Sequence, residues 1–203
     1  MMRALCTGLA LLLLAPAVAS AEGAAQAVIE KTVVEVLAIL RDESLDASAR
    51  RASLETLAQD RFDFRTMSRL VLARNWKRLS KDQQAEFVDE FETYLANDYG
   101  SRIERYDQEE VEVLGERPEP RGDVTVKTKI VGGENDGALV DYRMRSRDGA
   151  WKIIDVVIEG ISLVANFRDQ FRDVMGREGP VTLIEKLREK NADGTTIDPP
   201  EGA

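Results

Sequence analysis

The spacing of apolar residues changes after residue 106 of this chain, from a period close to four to a period of two. Between residues 80 and 105, apolar side chains recur every fourth residue and would share one face of a single long helix. This repeat consists of Phe87, Phe91, Leu95, Tyr99 and Ile103. In the segments 111–113, 124–130 and 140–145, apolar and polar residues alternate, which is typical of strands with one face in a core. A long helix followed by successive strands predicts an α+β fold.

Four strands are expected, at residues 111–113, 124–130, 140–144 and 150–158. The connections between them are too short for helical crossovers, so they should form an antiparallel meander. Asp148-Gly149 is a two-residue hairpin signal before the last strand. The sheet is expected to end at Gly160.

The fourth strand is apolar on both sides and should be the most buried of the four. Strict alternation would place on one face Trp151, Ile153 and Val157. The opposite face would then carry Ile154, Val156 and Ile158. A strand of this kind is expected to be covered on both faces.

Helices are expected before and after the sheet. A first amphipathic helix spans residues 24–41, and a second runs from Asp46 or Ser48 to about residue 59. Ser80 and Gln83 form a capping box at the start of the long helix. After the sheet, one helical stripe runs from Val164 to Met175, residues 176–180 end it, and a last helix continues to about residue 190. The expected architecture is a helical layer packed on a curved four-stranded antiparallel sheet, and such a pair of layers either closes completely or encloses an apolar cavity.

The first residues have the order of a secretory signal. A positive charge at Arg3 precedes an apolar run from Leu9 to Leu14, and Ala19-Ser20-Ala21 matches a cleavage site. A membrane anchor would need about 20 continuous apolar residues, and Pro16 interrupts the run too early. Residues 1–21 are therefore predicted to be a cleaved signal peptide, followed by one folded domain at 22–190 and a flexible tail at 191–203.

The composition of the remaining chain excludes several classes of function. The chain contains no histidine, and its one cysteine, Cys6, lies in the predicted signal. Residues 22–203 therefore offer no catalytic triad, no thiol nucleophile and no Cys or His zinc site. Arg3 is the only charged residue among the first 21, so 27 basic and 37 acidic residues remain, with a net charge of −10. This acidity argues against a nucleic-acid partner.

A set of short segments, in a fixed order, resembles a known family. The segments before the sheet are Phe62-Asp63-Phe64-Arg65-Thr66-Met67, Asn75-Trp76, the Phe-x-x-x-Phe repeat that ends at Phe91, Tyr99 and Tyr106. In and after the sheet they are Asp141-Tyr142-Arg143, the run from Trp151 to Ser162, Asn166-Phe167-Arg168-x-x-Phe171, Gly179, and the run from Leu183 to Leu187. Together they resemble the MlaC-type toluene-tolerance family over roughly residues 24–191.

This resemblance implies a Gram-negative periplasmic protein that carries a phospholipid. The carrier would be a monomer that moves its cargo between an outer-membrane lipoprotein complex and an inner-membrane ABC transporter complex with a lipid-binding MCE-type subunit. It would thereby maintain the lipid asymmetry of the outer membrane. The implied fold has an NTF2-like shape, with both acyl chains inside and the headgroup outside. Residues 22–190 would be the lipid-carrier domain, and no cofactor or metal is implied.

The candidate lipid-lining residues are apolar and come from three places. The long helix supplies Phe87, Phe91, Leu95, Tyr99 and Ile103. The sheet supplies Val126, Ile130, Tyr142 and Ile153, and the following helix supplies Phe167 and Phe171. Tyr99, Tyr106 and Tyr142 could place their hydroxyl groups toward the lipid headgroup. For each of these residues, ordinary core packing is the competing interpretation.

Two other functions remain open from the sequence. Asp155 lies in the apolar fourth strand, and a buried carboxylate with a raised pKa could be the general base of an NTF2-like enzyme. The alternative for Asp155 is a structural contact with an arginine or a backbone amide. The third possibility is a periplasmic adaptor domain with a solid core, which acts by surface contacts alone.

Overall fold

The computed structural model describes residues 23–103 and 109–193, which form a helical layer on a curved sheet. Its α-helices are α1 (Ala24–Leu40), α2 (Ala47–Arg61), α3 (Phe64–Leu72), α4 (Lys81–Ile103), α5 (Leu163–Arg177) and α6 (Pro180–Asp193). Its strands are β1 (Glu110–Pro118), β2 (Val124–Val131), β3 (Leu139–Arg147), β4 (Ala150–Ile158) and β5 (Ile161–Ser162). Short 3-10 helices lie at Ala73–Arg78 and Pro120–Gly122. The α+β prediction is confirmed.

Two of the predicted helix starts are confirmed by their side-chain caps. The Asp46 carboxylate accepts a hydrogen bond from the backbone N–H of Ala49, at 2.8 Å, and α2 begins at the next residue. At α4, the backbone N–H of Ser80 donates to Gln83 Oε1 at 2.9 Å, and Gln83 N–H donates to Ser80 Oγ at 3.2 Å. This reciprocal pair is the predicted capping box. At the other end of the chain, α6 continues to Asp193, three residues beyond its expected end.

The sheet has five strands rather than the four expected, in the order β1-β2-β3-β4-β5. Asp148 and Gly149 both have positive φ, at 53° and 82°, as a two-residue hairpin requires. The same geometry recurs at Glu159 and Gly160, with φ of 48° and 81°. The sheet therefore does not end at Gly160, because the chain turns back there to form β5. Two residues are too few to produce a visible alternation, which is why the sequence pattern missed this strand.

A β-bulge in β4 corrects the predicted faces of that strand. Ile153 pairs with Met144 and Asp155 pairs with Arg143, so Ile154 is the extra residue. Residues that pair across two strands lie on the same face of the sheet. Four apolar residues of β4 pair with residues on a single face of β3, so these four residues share that face. Those four residues are Trp151, Ile153, Val156 and Ile158. The strict alternation assigned them to opposite faces and was wrong, because one inserted residue reverses every side chain beyond it.

The helices form two levels over the sheet. Helices α1, α3 and α5 pack against the strands, α2 also contacts β4, and α4 packs against α2, α3 and α6. The aromatic stripe of α4 therefore meets other helices, and Phe87 and Phe91 both contact Phe171 of α5. The enclosed apolar cavity expected from the sequence is not shown among the described residues. Within residues 23–103 and 109–193, no helix is long and apolar enough to cross a bilayer.

Candidate functional site

Helix α2 contacts α1, α4 and β4, and polar side chains connect it to α4. None of its 15 residues is buried. Arg51 Nη2 donates to Asn97 Oδ1 of α4 at 2.7 Å, and Gln59 Nε2 donates to Glu92 Oε1 of α4 at 2.8 Å. An element with few buried apolar contacts opens at a lower free-energy cost than the core does. We therefore expect α2 to be easier to displace than the helices that contribute buried residues to the core.

Apolar side chains that are only half-buried lie on α2 and on α1, the helix it packs against. Leu54 and Leu57 are half-buried on α2. On α1, Val33, Val36 and Leu37 are in the same state. A closed core would remove more of this apolar surface from water. Additional hydrocarbon placed between these helices would therefore be stabilised by covering it.

Two open clefts lie beside the start of β4, near the C-terminal end of α2. The larger, here called the α1 cleft, has a volume of about 420 Å³ and is lined by Ala24, Val28, Lys31, Asp60, Arg61, Gly149, Ala150, Trp151 and Lys152. The smaller, here called the aromatic cleft, has a volume of about 350 Å³ and is lined by Gln59, Phe62, Asp63, Phe64, Arg147, Asp148, Ala150 and Lys152. Ala150 and Lys152 belong to both clefts. Sequence reasoning did not predict either cleft.

The clefts form because the link between α2 and α3 is attached to the edge of β4. The backbone N–H of Asp63 donates to the carbonyl of Ile153 at 2.9 Å, at the position of the bulge. The Asp63 carboxylate caps α3 by accepting from Thr66 N–H at 2.8 Å. The rings of Phe62 and Phe64 stack with centroids 5.5 Å apart. One short segment thus separates the two clefts and begins α3.

Both clefts combine a charged rim with apolar residues at the margin of the core. Val28 and Trp151 line the α1 cleft and are half-buried against the core, as are Phe62 and Phe64 in the aromatic cleft. Convergence of apolar surface with a few charged groups is typical of small-molecule binding sites. Among the described residues, no group of three or more acidic, cysteine or histidine side chains could hold a metal ion.

The aromatic residues predicted to line a lipid form a packed cluster between α4 and α5. The rings of Phe91 and Phe167 meet edge to face at 5.3 Å, and Phe87 stacks with Phe91 at 5.7 Å. Phe171 contacts both Phe87 and Phe91. Tyr94 also packs edge to face with Phe167, at 5.8 Å, and was missed because the repeat was counted only in steps of four. A step of three from Phe91 would have found it.

The other predicted lining residues lie in different environments. Leu95, Val126 and Ile153 are buried in the same core, and Tyr99 and Tyr142 are half-buried against it. Ile130 is buried but is not part of this cluster of described residues. Ile103 is 39% exposed at the end of α4, and Tyr106 lies outside the described residues. The assignment of all these residues to lipid contact stays a prediction.

Asp155 connects the sheet to the start of α5. Its carboxylate accepts a hydrogen bond from Ser162 Oγ at 2.6 Å and one from the backbone N–H of Val164 at 3.1 Å. Burial raises the pKa of Asp155 above its usual value, and these two hydrogen bonds, which favour the charged form, only partly offset that effect. Ser162 in turn caps α5 by accepting from Ala165 N–H at 3.0 Å. The hydrogen bond from Val164 N–H is the structural contact with a backbone amide that the sequence analysis gave as the alternative to a catalytic role for Asp155.

Replacement of Asp155 is expected to affect stability rather than any turnover. Asp155→Ala should lower the free energy of unfolding by about 1–3 kcal/mol, because it leaves the buried N–H of Val164 without an acceptor. Asp155→Asn should cost less, since its carbonyl can still accept that hydrogen bond. Urea unfolding of the two variants measures the difference. Equal losses would contradict the capping role, and loss of a substrate turnover in Asp155→Asn would favour the enzyme.

Comparison with known proteins gives one family and several relatives. The family model described as "MlaC protein" matches residues 30–189. The toluene tolerance protein ttg2D of Pseudomonas putida is 30% identical over 105 residues, which are 51% of this chain and 48% of that protein. The intermembrane phospholipid transport system binding protein MlaC of Haemophilus influenzae is 22% identical over 125 residues, which are 59% and 58% of the two chains. The chain thus spans about half the length of the curated relatives it matches.

A solved structure has the same fold. The phospholipid-binding protein of Ralstonia solanacearum, determined in complex with a phospholipid, superposes with a TM-score of 0.76. The match covers 84% of this chain and 98% of the other, at 24% sequence identity. At 24% sequence identity, the structural similarity establishes that the two proteins share the same fold.

Proposed function

The chain belongs to the MlaC family, and from this premise we propose that it is a carrier that binds a phospholipid by its acyl chains. The structural relative from Ralstonia solanacearum was solved with a phospholipid, and the relative from Haemophilus influenzae is named as a phospholipid transport binding protein. Both names support a lipid as the cargo of this chain. The role is carriage and not catalysis, because a lipid that is delivered intact requires no chemical step.

The observation that carries the proposal is the incomplete closure of the apolar interior beneath α2. This helix has no buried residue, and it lies against α1, on which Val33, Val36 and Leu37 are only half-buried. Helix α2 would separate from α1 when the Arg61–Glu35 contact opens, and two acyl chains would cover the apolar surfaces that become exposed.

The energetics of carriage require such an interior. Each methylene removed from water contributes about 0.8 kcal/mol, so a chain of roughly 15 methylenes gains on the order of 12 kcal/mol relative to water. Relative to a bilayer the gain is near zero, because the chain is already surrounded by hydrocarbon there. A carrier of this kind does not lose its cargo to water, but can pass it to another apolar site that makes direct contact.

The proposed place of action is the periplasm, after removal of residues 1–21. There the carrier would exchange phospholipid between an outer-membrane lipoprotein complex and an inner-membrane ABC transporter complex with an MCE-type subunit, and so maintain outer-membrane lipid asymmetry. The transport-system name of the Haemophilus influenzae relative supports this assignment. The net negative charge of the chain also suits brief contact with anionic membrane surfaces, which repel it on average.

A solid-core adaptor is the second candidate, because the rings between α4 and α5 are already in contact with one another. Native mass spectrometry of the full chain, expressed in a Gram-negative host and purified without detergent, separates the two functions. The carrier is expected to retain about one phospholipid per chain. A chain that is purified empty and takes up no phospholipid from vesicles would contradict the carrier and favour the adaptor.

A further inference from the structure

The α1 cleft is more basic than the protein around it. Its lining includes three basic side chains, Lys31, Arg61 and Lys152, and one acidic side chain, Asp60. The whole chain, by contrast, has a net charge of −9. A local excess of positive charge in an acidic protein favours an anion at that place over the rest of the surface.

Two of these three cations retain hydrogen-bonding capacity. Arg61 is committed to α1, because its guanidinium contacts Glu35 Oε2 at 2.5 Å and Thr32 Oγ1 at 3.0 Å. The Lys31 ammonium is 3.7 Å from the Glu35 carboxylate, and its side chain is 69% exposed. An ammonium group has three N–H donors, so one long contact leaves donors that can turn toward a ligand.

Lys152 is the second cation, and it lies at the boundary of the two clefts. Its Nζ donates to the backbone carbonyl of Asp60 and is 3.4 Å from the carboxylate of the same residue. Both contacts are on one side, toward the end of α2. The remaining donor of the ammonium can face the α1 cleft, which this residue lines.

The basic residues on the outer face of the sheet differ in this respect. Arg145 makes two hydrogen bonds to the buried carboxylate of Asp123, at 2.6 and 2.8 Å, and Arg143 makes a third at 2.8 Å. Burial alone would raise the pKa of Asp123, but Arg145 and then Arg143 outweigh it and hold the pKa below its usual value. Lys129 pairs with Glu112 at 2.8 Å. These cations are neutralised by close contacts within the fold, whereas the ion pairs of Lys31 and Lys152 are longer, at 3.7 and 3.4 Å, and lie beside a space that a ligand can enter.

We infer that Lys31 and Lys152 bind the phosphate of the phospholipid headgroup at the mouth of the α1 cleft. This inference rests on the proposed function and assigns the headgroup a place on the molecule. The acyl chains would leave the phosphate across Val28 and Trp151, which are half-buried at the margin of the core, and continue beneath α2. The cleft thus offers the two environments of an amphiphile side by side, cations for the phosphate and apolar side chains for the hydrocarbon.

The test compares two ligands that differ only in the headgroup. Dioctanoyl phosphatidylglycerol and dioctanoylglycerol have the same acyl chains, but only the first has a phosphate. Their affinities are measured by titration calorimetry on the delipidated full chain and on a Lys31→Ala/Lys152→Ala variant. The variant is expected to lose about tenfold in affinity for the phospholipid, because each partly exposed ion pair changes affinity by a factor of up to about five. Its affinity for dioctanoylglycerol should not change.

Matched variants control for charge and folding. Lys77→Ala/Lys127→Ala removes the same charge from exposed positions outside both clefts and should bind both ligands as the wild type does. Lys31→Arg/Lys152→Arg keeps the cations and should restore most of the phospholipid affinity. Arg61 is left unchanged in every variant, because it connects α2 to α1.

The other outcomes overturn the inference in distinguishable ways. Unchanged phospholipid affinity in Lys31→Ala/Lys152→Ala, with a wild type that binds lipid, would place the headgroup elsewhere, for example at Tyr99 or Tyr142, and leave the proposed function intact. A wild type that binds neither lipid would overturn both. Glycerol phosphate that binds the wild type as tightly as the phospholipid would identify a soluble phosphate, and not a lipid headgroup, as the ligand of the two lysines.

Discussion

Joining α2 covalently to α4 is expected to slow phospholipid exchange by more than about tenfold. A tenfold decrease in rate requires an increase of only about 1.4 kcal/mol in the free-energy barrier to opening. Gln59 and Glu92 are suitable positions, because their side chains hydrogen-bond at 2.8 Å between the two helices. Residues 22–203 contain no cysteine, so Gln59→Cys/Glu92→Cys introduces the only two thiols of the folded domain. A short linker that reacts with both thiols would hold α2 in its closed position.

The measurement is the transfer of a fluorescent phospholipid from donor vesicles to the linked protein and then to acceptor vesicles. A second linked pair, Glu90→Cys/Arg188→Cys, joins α4 to α6, where these side chains interact at 3.1 Å, and leaves α2 free to move. This control should exchange lipid at the wild-type rate. A linker that contains a disulfide should allow exchange to recover on reduction. Unimpaired exchange in the linked α2 protein would show that lipid enters by another route.

Phe91→Ala is expected to lower the free energy of unfolding of the delipidated protein by about 3–5 kcal/mol. The ring is 0% exposed and contacts three other phenylalanines, Phe87 at 5.7 Å, Phe167 at 5.3 Å and Phe171 at 6.1 Å. Removing it takes away the transfer free energy of a buried aromatic ring and leaves a cavity in a layer that cannot fully collapse. Urea unfolding followed by circular dichroism measures the loss.

Val181→Ala is the control for this substitution, because Val181 is 45% exposed and should change stability by less than about 0.5 kcal/mol. A loss below about 1 kcal/mol for Phe91→Ala would mean that the aromatic cluster is loosely packed in solution. The same variant also tests the predicted lipid contact of Phe91. If the ring touches an acyl chain, bound phospholipid will stabilise the variant by less than it stabilises the wild type.

The sequence was informative about residues that interact with their close neighbours along the chain. The Asp46 cap and the Ser80–Gln83 capping box depend on groups three residues apart, so both could be predicted before the helices were placed. The Asp148-Gly149 hairpin could also be predicted, because two adjacent positive φ angles strongly restrict which residues can occupy the turn. The buried Phe87 and Phe91 followed from the helical period.

The candidate site was harder to predict from the sequence, because its residues are distant from one another along the chain. Lys31 and Lys152 line one cleft although 121 positions separate them, and neither belongs to a local motif. The resemblance to the MlaC-type family predicted a lipid but did not indicate where its headgroup lies. The lack of buried residues on α2 was also not visible in the sequence, since Leu54 and Leu57 have the spacing of an ordinary buried stripe.

By itself, the sequence determined the class of fold, the helix caps and the main hairpin, because these depend on interactions within a few residues. The absence of histidine and of any cysteine beyond Cys6 also excluded whole classes of chemistry. Only the tertiary structure decided that α4 turns its rings toward α5, that β4 bulges at Ile154, and that the clefts open beside β4. These features arise where distant segments compete for the same space, and a periodic pattern does not record which surface a side chain will meet.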